Sequence, residues 1–101
     1  MIFKLVDEDL KSFEKYILII IKGVLQSLID EQIDIEDAEN IIFSPKIVEK
    51  LHTYKVNEKI INIVELGCEL EDIESLLPNI LEQEIEKLFI KTIYLLNNDY
   101  N

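Results

Sequence analysis

Between Asp7 and Ile29 the apolar positions Leu10, Phe13, Ile17, Ile20, Val24 and Leu28 recur at intervals of three and four residues, the repeat of one helical face. This spacing predicts one long helix over residues 7–29. Its start carries Asp7, Glu8 and Asp9, with Asp7 placed to cap the first free amides and all three charges suited to the positive end of the helix dipole. The polar face is narrow. At about 100° per residue, Lys11, Lys15 and Lys22 fall within roughly 40° of one another, with Gln26 nearby and Leu18 interrupting the strip. The run Tyr16–Ile21 is apolar throughout and, taken alone, also fits a β-strand, but the helical repeat continues on both sides of it. A helix this apolar all round is expected at the centre of a fold or against a second subunit.

Either side of this helix the pattern is shorter. Ile2 to Val6 alternates loosely and suits a short extended arm. After the polar link Asp30–Asp34, Asp34 followed by Asp37 has the form of a capping pair, opening a second helix with Ile35, Ala38, Ile41 and Ile42 inward. Ser44-Pro45 then resets the chain, with Ser44 as cap and Pro45 at the first helical position of a third helix that buries Ile47, Val48 and Leu51. Asn57 caps the next segment, whose inward series Ile63, Leu66, Leu70, Ile73 and Leu77 could run straight through Gly67. The favoured alternative has Gly67 ending one helix in the left-handed conformation, with a new helix from about Glu71. Pro78 closes that segment. A last helix, about Pro78 to Asn97, turns Leu81, Ile85, Leu88, Phe89, Thr92, Ile93 and Leu96 inward, with Glu82, Glu84 and Glu86 early and Lys87 and Lys91 later, as the dipole prefers.

The expectation is therefore an all-α domain spanning residues 1–101, a bundle of five to six helices with the first and last as its main pair. At 101 residues and 49% hydrophobic content the chain can bury one core. Two glycines, two prolines and no repeat or low-complexity tract give no sign of a second domain. Lys22 and Gln26 interrupt the best candidate for a membrane span, and MIFKLVDED lacks the order of a secretory signal, so a cytoplasmic protein is expected. The single Cys68 agrees, since it has no partner for an internal disulfide. Nineteen isoleucines, seven asparagines and ten lysines without one arginine read as the codon bias of an AT-rich genome.

The stretches AENIIFSPKIVEKL and ELGCELEDIESLLPN, with the apolar first helix, resemble a family of small acidic bacterial proteins of about this length and of unknown function. The resemblance covers most of the chain and rests on cap and core patterns. It implies a compact, mainly helical domain and supplies no catalytic residues.

The charge layout narrows the function further. The net charge is −11, and it is concentrated. From Gly23 to Pro45 lie Asp30, Glu31, Asp34, Glu36, Asp37 and Glu39 without a lysine; from Ile60 to Glu86 lie Glu65, Glu69, Glu71, Asp72, Glu74, Glu82, Glu84 and Glu86, again without one. Such a field repels nucleic acid and anionic membranes and attracts basic partners at a salt-sensitive rate. A solvated, Glu-rich helical surface is the plainer reading of the same residues. The acids Asp30 to Glu39 and Glu65 to Glu74 are the candidate protein-binding face.

Chemical sites find little support. Glu49 and His52 have the Glu-x-x-His spacing of di-iron bundles, which need a second copy, and His52 is the only histidine. Asp30, Gln32 and Asp34 begin like a calcium loop, but Ile35 stands where glycine is expected and Ile41 where a bidentate glutamate belongs. Glu71, Asp72 and Glu74 could hold Mg²⁺ weakly, although a dipole role at a helix start accounts for them better. Cys68 sits among carboxylates that raise a thiol's pKa rather than activate it. There is no glycine-rich phosphate loop and no arginine for bidentate phosphate capture. No catalytic, metal or cofactor-binding residue is assigned. The leading expectation is a non-catalytic binding module for a basic protein, in the manner of an inhibitor or antidote. The alternative is a self-associating structural protein, a homo-oligomer built on the over-apolar first helix.

Overall fold

The structure, a computed structural model, describes residues 9–101. The extended arm expected at Ile2–Val6 and the cap expected at Asp7 lie outside the described residues. Helix α1 runs Leu10–Ile29, and its cap is Asp9, whose Oδ1 accepts from the Ser12 amide at 3.2 Å while Oδ2 accepts from the Ser12 hydroxyl at 2.6 Å. The Ser12 hydroxyl and then its amide hold the Asp9 carboxyl below its ordinary value. Helix α2 (Ile35–Ile41) opens on the expected capping box, Asp34 and Asp37 each accepting the other's backbone amide. Helix α3 (Pro45–Thr53) opens on Ser44 with Pro45 in its first turn, and α4 (Glu58–Cys68) on Asn57. Helix α5 (Leu70–Leu76), a single 3₁₀ turn (Pro78–Ile80) and α6 (Leu81–Asn98) complete the chain.

The fold is all-α, with no strand among the described residues. The expected five to six helices resolve into four of nine residues or more, α1, α3, α4 and α6, with two seven-residue segments, α2 and α5. Both short segments are cut by a proline that follows within a few residues, Pro45 after α2 and Pro78 after α5. Two helix ends close without glycine. Glu31 after α1 and Lys55 after α3 take the left-handed conformation (φ 57° and 59°), their amides and the next ones turning back to carbonyls of the last helical turn.

Helices α1 and α6 form the main pair and run antiparallel: Tyr100 meets Glu14 at one end, while Leu28 and Ile29 share a cleft with Leu81 and Ile85 at the other. Helix α4 packs on α6 and α3, and α2 bridges α1 and α5. One continuous core results, in which Phe13, Ile17, Leu18, Ile21, Leu25, Phe43, Leu51, Ile60, Val64 and Leu70 are almost wholly excluded from solvent. Helix α1 is central, but one flank stays open, with Tyr16 and Ile19 each 48% exposed.

Gly67 corrects the expected helix boundary. It sits inside α4 with an ordinary negative φ, and the break comes two residues later at Glu69. What Gly67 provides is room: a Cβ there would overlap the Phe43 ring, which lies directly on the α4 backbone. Three positions expected inside face water instead, Ile41, Leu77 and, in part, Ile93. At Leu77 the helical stripe has ended, since Leu77 is already the C-cap of α5 ahead of Pro78.

Candidate acidic face

Helices α2 and α5 are each followed closely by a proline, and they pack side by side although thirty-odd residues separate them in sequence. That contact brings the two acidic stretches together. Glu36 and Glu39 of α2 lie close to Glu71 and Asp72 of α5. Partial burial, then the Glu71 carboxyl, then the charges of Glu36 and Asp72 raise Glu39 above its ordinary value. Cys68 adjoins the same cluster. Burial pushes its thiol up, and the carboxylates of Glu39, Glu65 and Glu69 push it further, which leaves a weak nucleophile.

Six of the eleven expected residues are thus neighbours: Glu36, Glu39, Glu65, Glu69, Glu71 and Asp72. The others serve different ends. Asp34 and Asp37 satisfy each other's amides as a cap, Asp30 accepts from the Gln26 side-chain amide at 3.1 Å, and Glu31 lines a cleft with Glu82 beside the start of α6. Glu74 is exposed on the last turn of α5. The ion pair Lys59–Asp99 lies away from the cluster, whereas His52 of the His52–Glu58 pair shares a cleft with Glu65 and Cys68, and the Lys87–Glu84 pair shares one with Glu69. Among the described residues no group of three His, Cys, Asp or Glu side chains is arranged to hold a metal ion, and no helix is long and apolar enough to cross a membrane.

A buried polar site was not expected from the sequence. Glu14, only 7% exposed, accepts from the Tyr100 hydroxyl at 2.7 Å and from the Asn57 backbone amide at 2.7 Å, while the Asn57 side-chain amide donates to the Tyr100 oxygen at 3.3 Å. Lys11 lies 4.9 Å over the Tyr100 ring. Burial and then the Glu14 hydrogen bond push the Tyr100 phenol up to about 12. The signal was present: Glu14 occupies the apolar face between Leu10 and Leu18, where a charge requires fixed partners.

A family model for proteins of unknown function, DUF3969, matches residues 8–101. The chain belongs to that family. No curated protein and no solved structure matches it. The match to DUF3969 spans every helix described above.

Proposed function

We propose that this chain is a single-domain, non-catalytic binding module of the bacterial cytoplasm, which docks a basic protein on the carboxylates of α2 and α5 in the manner of an inhibitor or antidote. The observation that carries this reading is the meeting of Glu36, Glu39, Glu71 and Asp72 across the α2–α5 contact, where partial burial and then the neighbouring carboxyls raise Glu39. Like charges set side by side oppose folding. A cationic partner converts that penalty into binding, because its lysines or arginines neutralise carboxylates already held in place. The net charge of −11 adds long-range attraction, which salt screens.

The test is retention of proteins from a native-cell lysate on the immobilised chain. One basic protein is expected to bind at low salt, to elute at high salt, and to be lost when Glu36→Gln, Glu39→Gln, Glu71→Gln and Asp72→Asn are combined. Retention unchanged in that variant, or no retained protein, overturns the proposal.

A further inference from the structure

Helices α3 and α4 pack as neighbours and leave between them an open cleft of about 480 Å³. Its lining is mainly apolar, with Pro45 and Val48 from α3 and the half-buried Cys68, the last residue of α4, and it includes the His52 ring. Its formal charge comes from carboxylates on both sides. Glu49 belongs to α3 and Glu65 to α4, and no lysine lines the cleft among the described residues. Neither carboxylate enters an ion pair among those residues. The cleft also adjoins the acidic face, because Cys68, which lines it, is within reach of the charges of Glu39 and Glu69 as well as Glu65.

An apolar cleft flanked by unpaired carboxylates restricts what can fill it. A wholly apolar side chain would take water from Glu49 and Glu65 and give nothing in return. Lysine and arginine suit both parts of the lining, since each carries an aliphatic stem that covers apolar surface and a cation at its tip. Arginine suits them better. Its planar guanidinium carries donors along more than one edge, so it can engage carboxylates that arrive from two helices, and it stacks on flat rings such as that of His52. The ammonium of lysine is a compact, strongly hydrated point charge.

We infer that the α3–α4 cleft is an arginine pocket, in which the stem of a partner's arginine lies along Pro45 and Val48 and its guanidinium joins Glu49 to Glu65. This rests on the reading of the acidic face as a dock for a basic protein, and it adds the side chain that singles the partner out. The carboxylates of α2 and α5 attract any cationic segment; the cleft favours one that carries arginine beside it.

Fluorescence anisotropy near neutral pH and at low salt tests this with three labelled peptides: a short oligolysine, and the same peptide with its central residue replaced by arginine or by citrulline, which has the shape of arginine without its charge. The arginine peptide is expected to bind about fivefold more tightly than either of the others. In a Glu49→Gln, Glu65→Gln double variant, both at exposed positions and checked for native helicity by circular dichroism, the arginine and lysine peptides are expected to bind alike. An arginine peptide that does not bind, that binds no better than the lysine peptide, or that keeps its advantage in the double variant overturns the inference. The combined Glu36→Gln, Glu39→Gln, Glu71→Gln and Asp72→Asn variant is expected to bind every peptide more weakly and to keep the preference for arginine. Loss of the preference there places the arginine on the α2–α5 face and overturns the pocket, whereas unchanged affinity with the preference intact overturns the α2–α5 dock and supports the pocket.

Discussion

Glu14 ties the first turns of α1 to the residues after α6 and to the head of α4. Its carboxyl lies in the core and is satisfied from opposite directions, by Tyr100 just before the C-terminus and by the amide of Asn57 at the head of α4. Removing the Tyr100 hydroxyl leaves a buried carboxylate oxygen without its donor, which costs about 1–3 kcal/mol. Tyr100→Phe is therefore expected to lower stability by that amount in urea denaturation, although the ring and its contact with Lys11 are kept. The same change is expected to abolish a late tyrosine transition. The folded-state phenol is raised to about 12 from an unfolded value of 10, so the stability it contributes is complete below pH 10 and is lost as pH rises through 12. In an alkaline absorbance titration the wild type should show one phenol titrating near pH 12, and Tyr100→Phe should not. A variant as stable as the wild type would mean that water reaches Glu14 and replaces the hydroxyl.

The two glycines separate what an element needs from what it tolerates. Gly23 lies in the exposed middle of α1 and a Cβ there would have open space, so Gly23→Ala is expected to stabilise the protein by about 1 kcal/mol through helix propensity. Gly67 is equally helical, yet its Cβ would enter the Phe43 ring, and Gly67→Ala is expected to cost about 1–3 kcal/mol through displaced packing. Thermal unfolding of the two variants should move the midpoint in opposite directions; movement in the same direction would show that Phe43 can shift aside. Local chemistry made most elements legible in the sequence. Caps at Asp34, Ser44 and Asn57, prolines at 45 and 78, and the three-four repeat of α1 and α6 act over one or two turns and can be read without the fold. Gly67 was misread because the ring that needs the space comes from residue 43, on another element. Leu77 departs from the expectation because periodicity records which face continues, not where the helix itself stops. The candidate face was half legible for the same reason: acid content is visible in the sequence, but only the α2–α5 contact selects Glu36, Glu39, Glu71 and Asp72.

Across the whole molecule, a net charge of −11 opposes compaction, and part of that repulsion lies where α2 meets α5. Glu39 measures it. Burial and the Glu71 carboxyl raise its folded-state pKa, so the folded protein holds the Glu39 proton more tightly than the unfolded chain does. The stability linked to that proton is complete below the ordinary carboxylate range and disappears as pH rises through the raised value, leaving Glu39 unfavourable at neutral pH. Asp9 works in the opposite sense, its lowered pKa giving stability that is lost on acidification, but it is common to wild type and variant and cancels in their comparison. Glu39→Gln is accordingly expected to raise the urea midpoint near pH 7 and to match the wild type below about pH 4, where carboxyls are largely protonated. Added salt at pH 7 should narrow the same gap, since the cluster is mostly exposed and screening reaches it. A gap that persists unchanged with pH and salt would assign the effect to packing and would remove the electrostatic penalty that a basic partner is proposed to relieve. A gap that closes under both treatments locates that penalty on the surface where such a partner would dock.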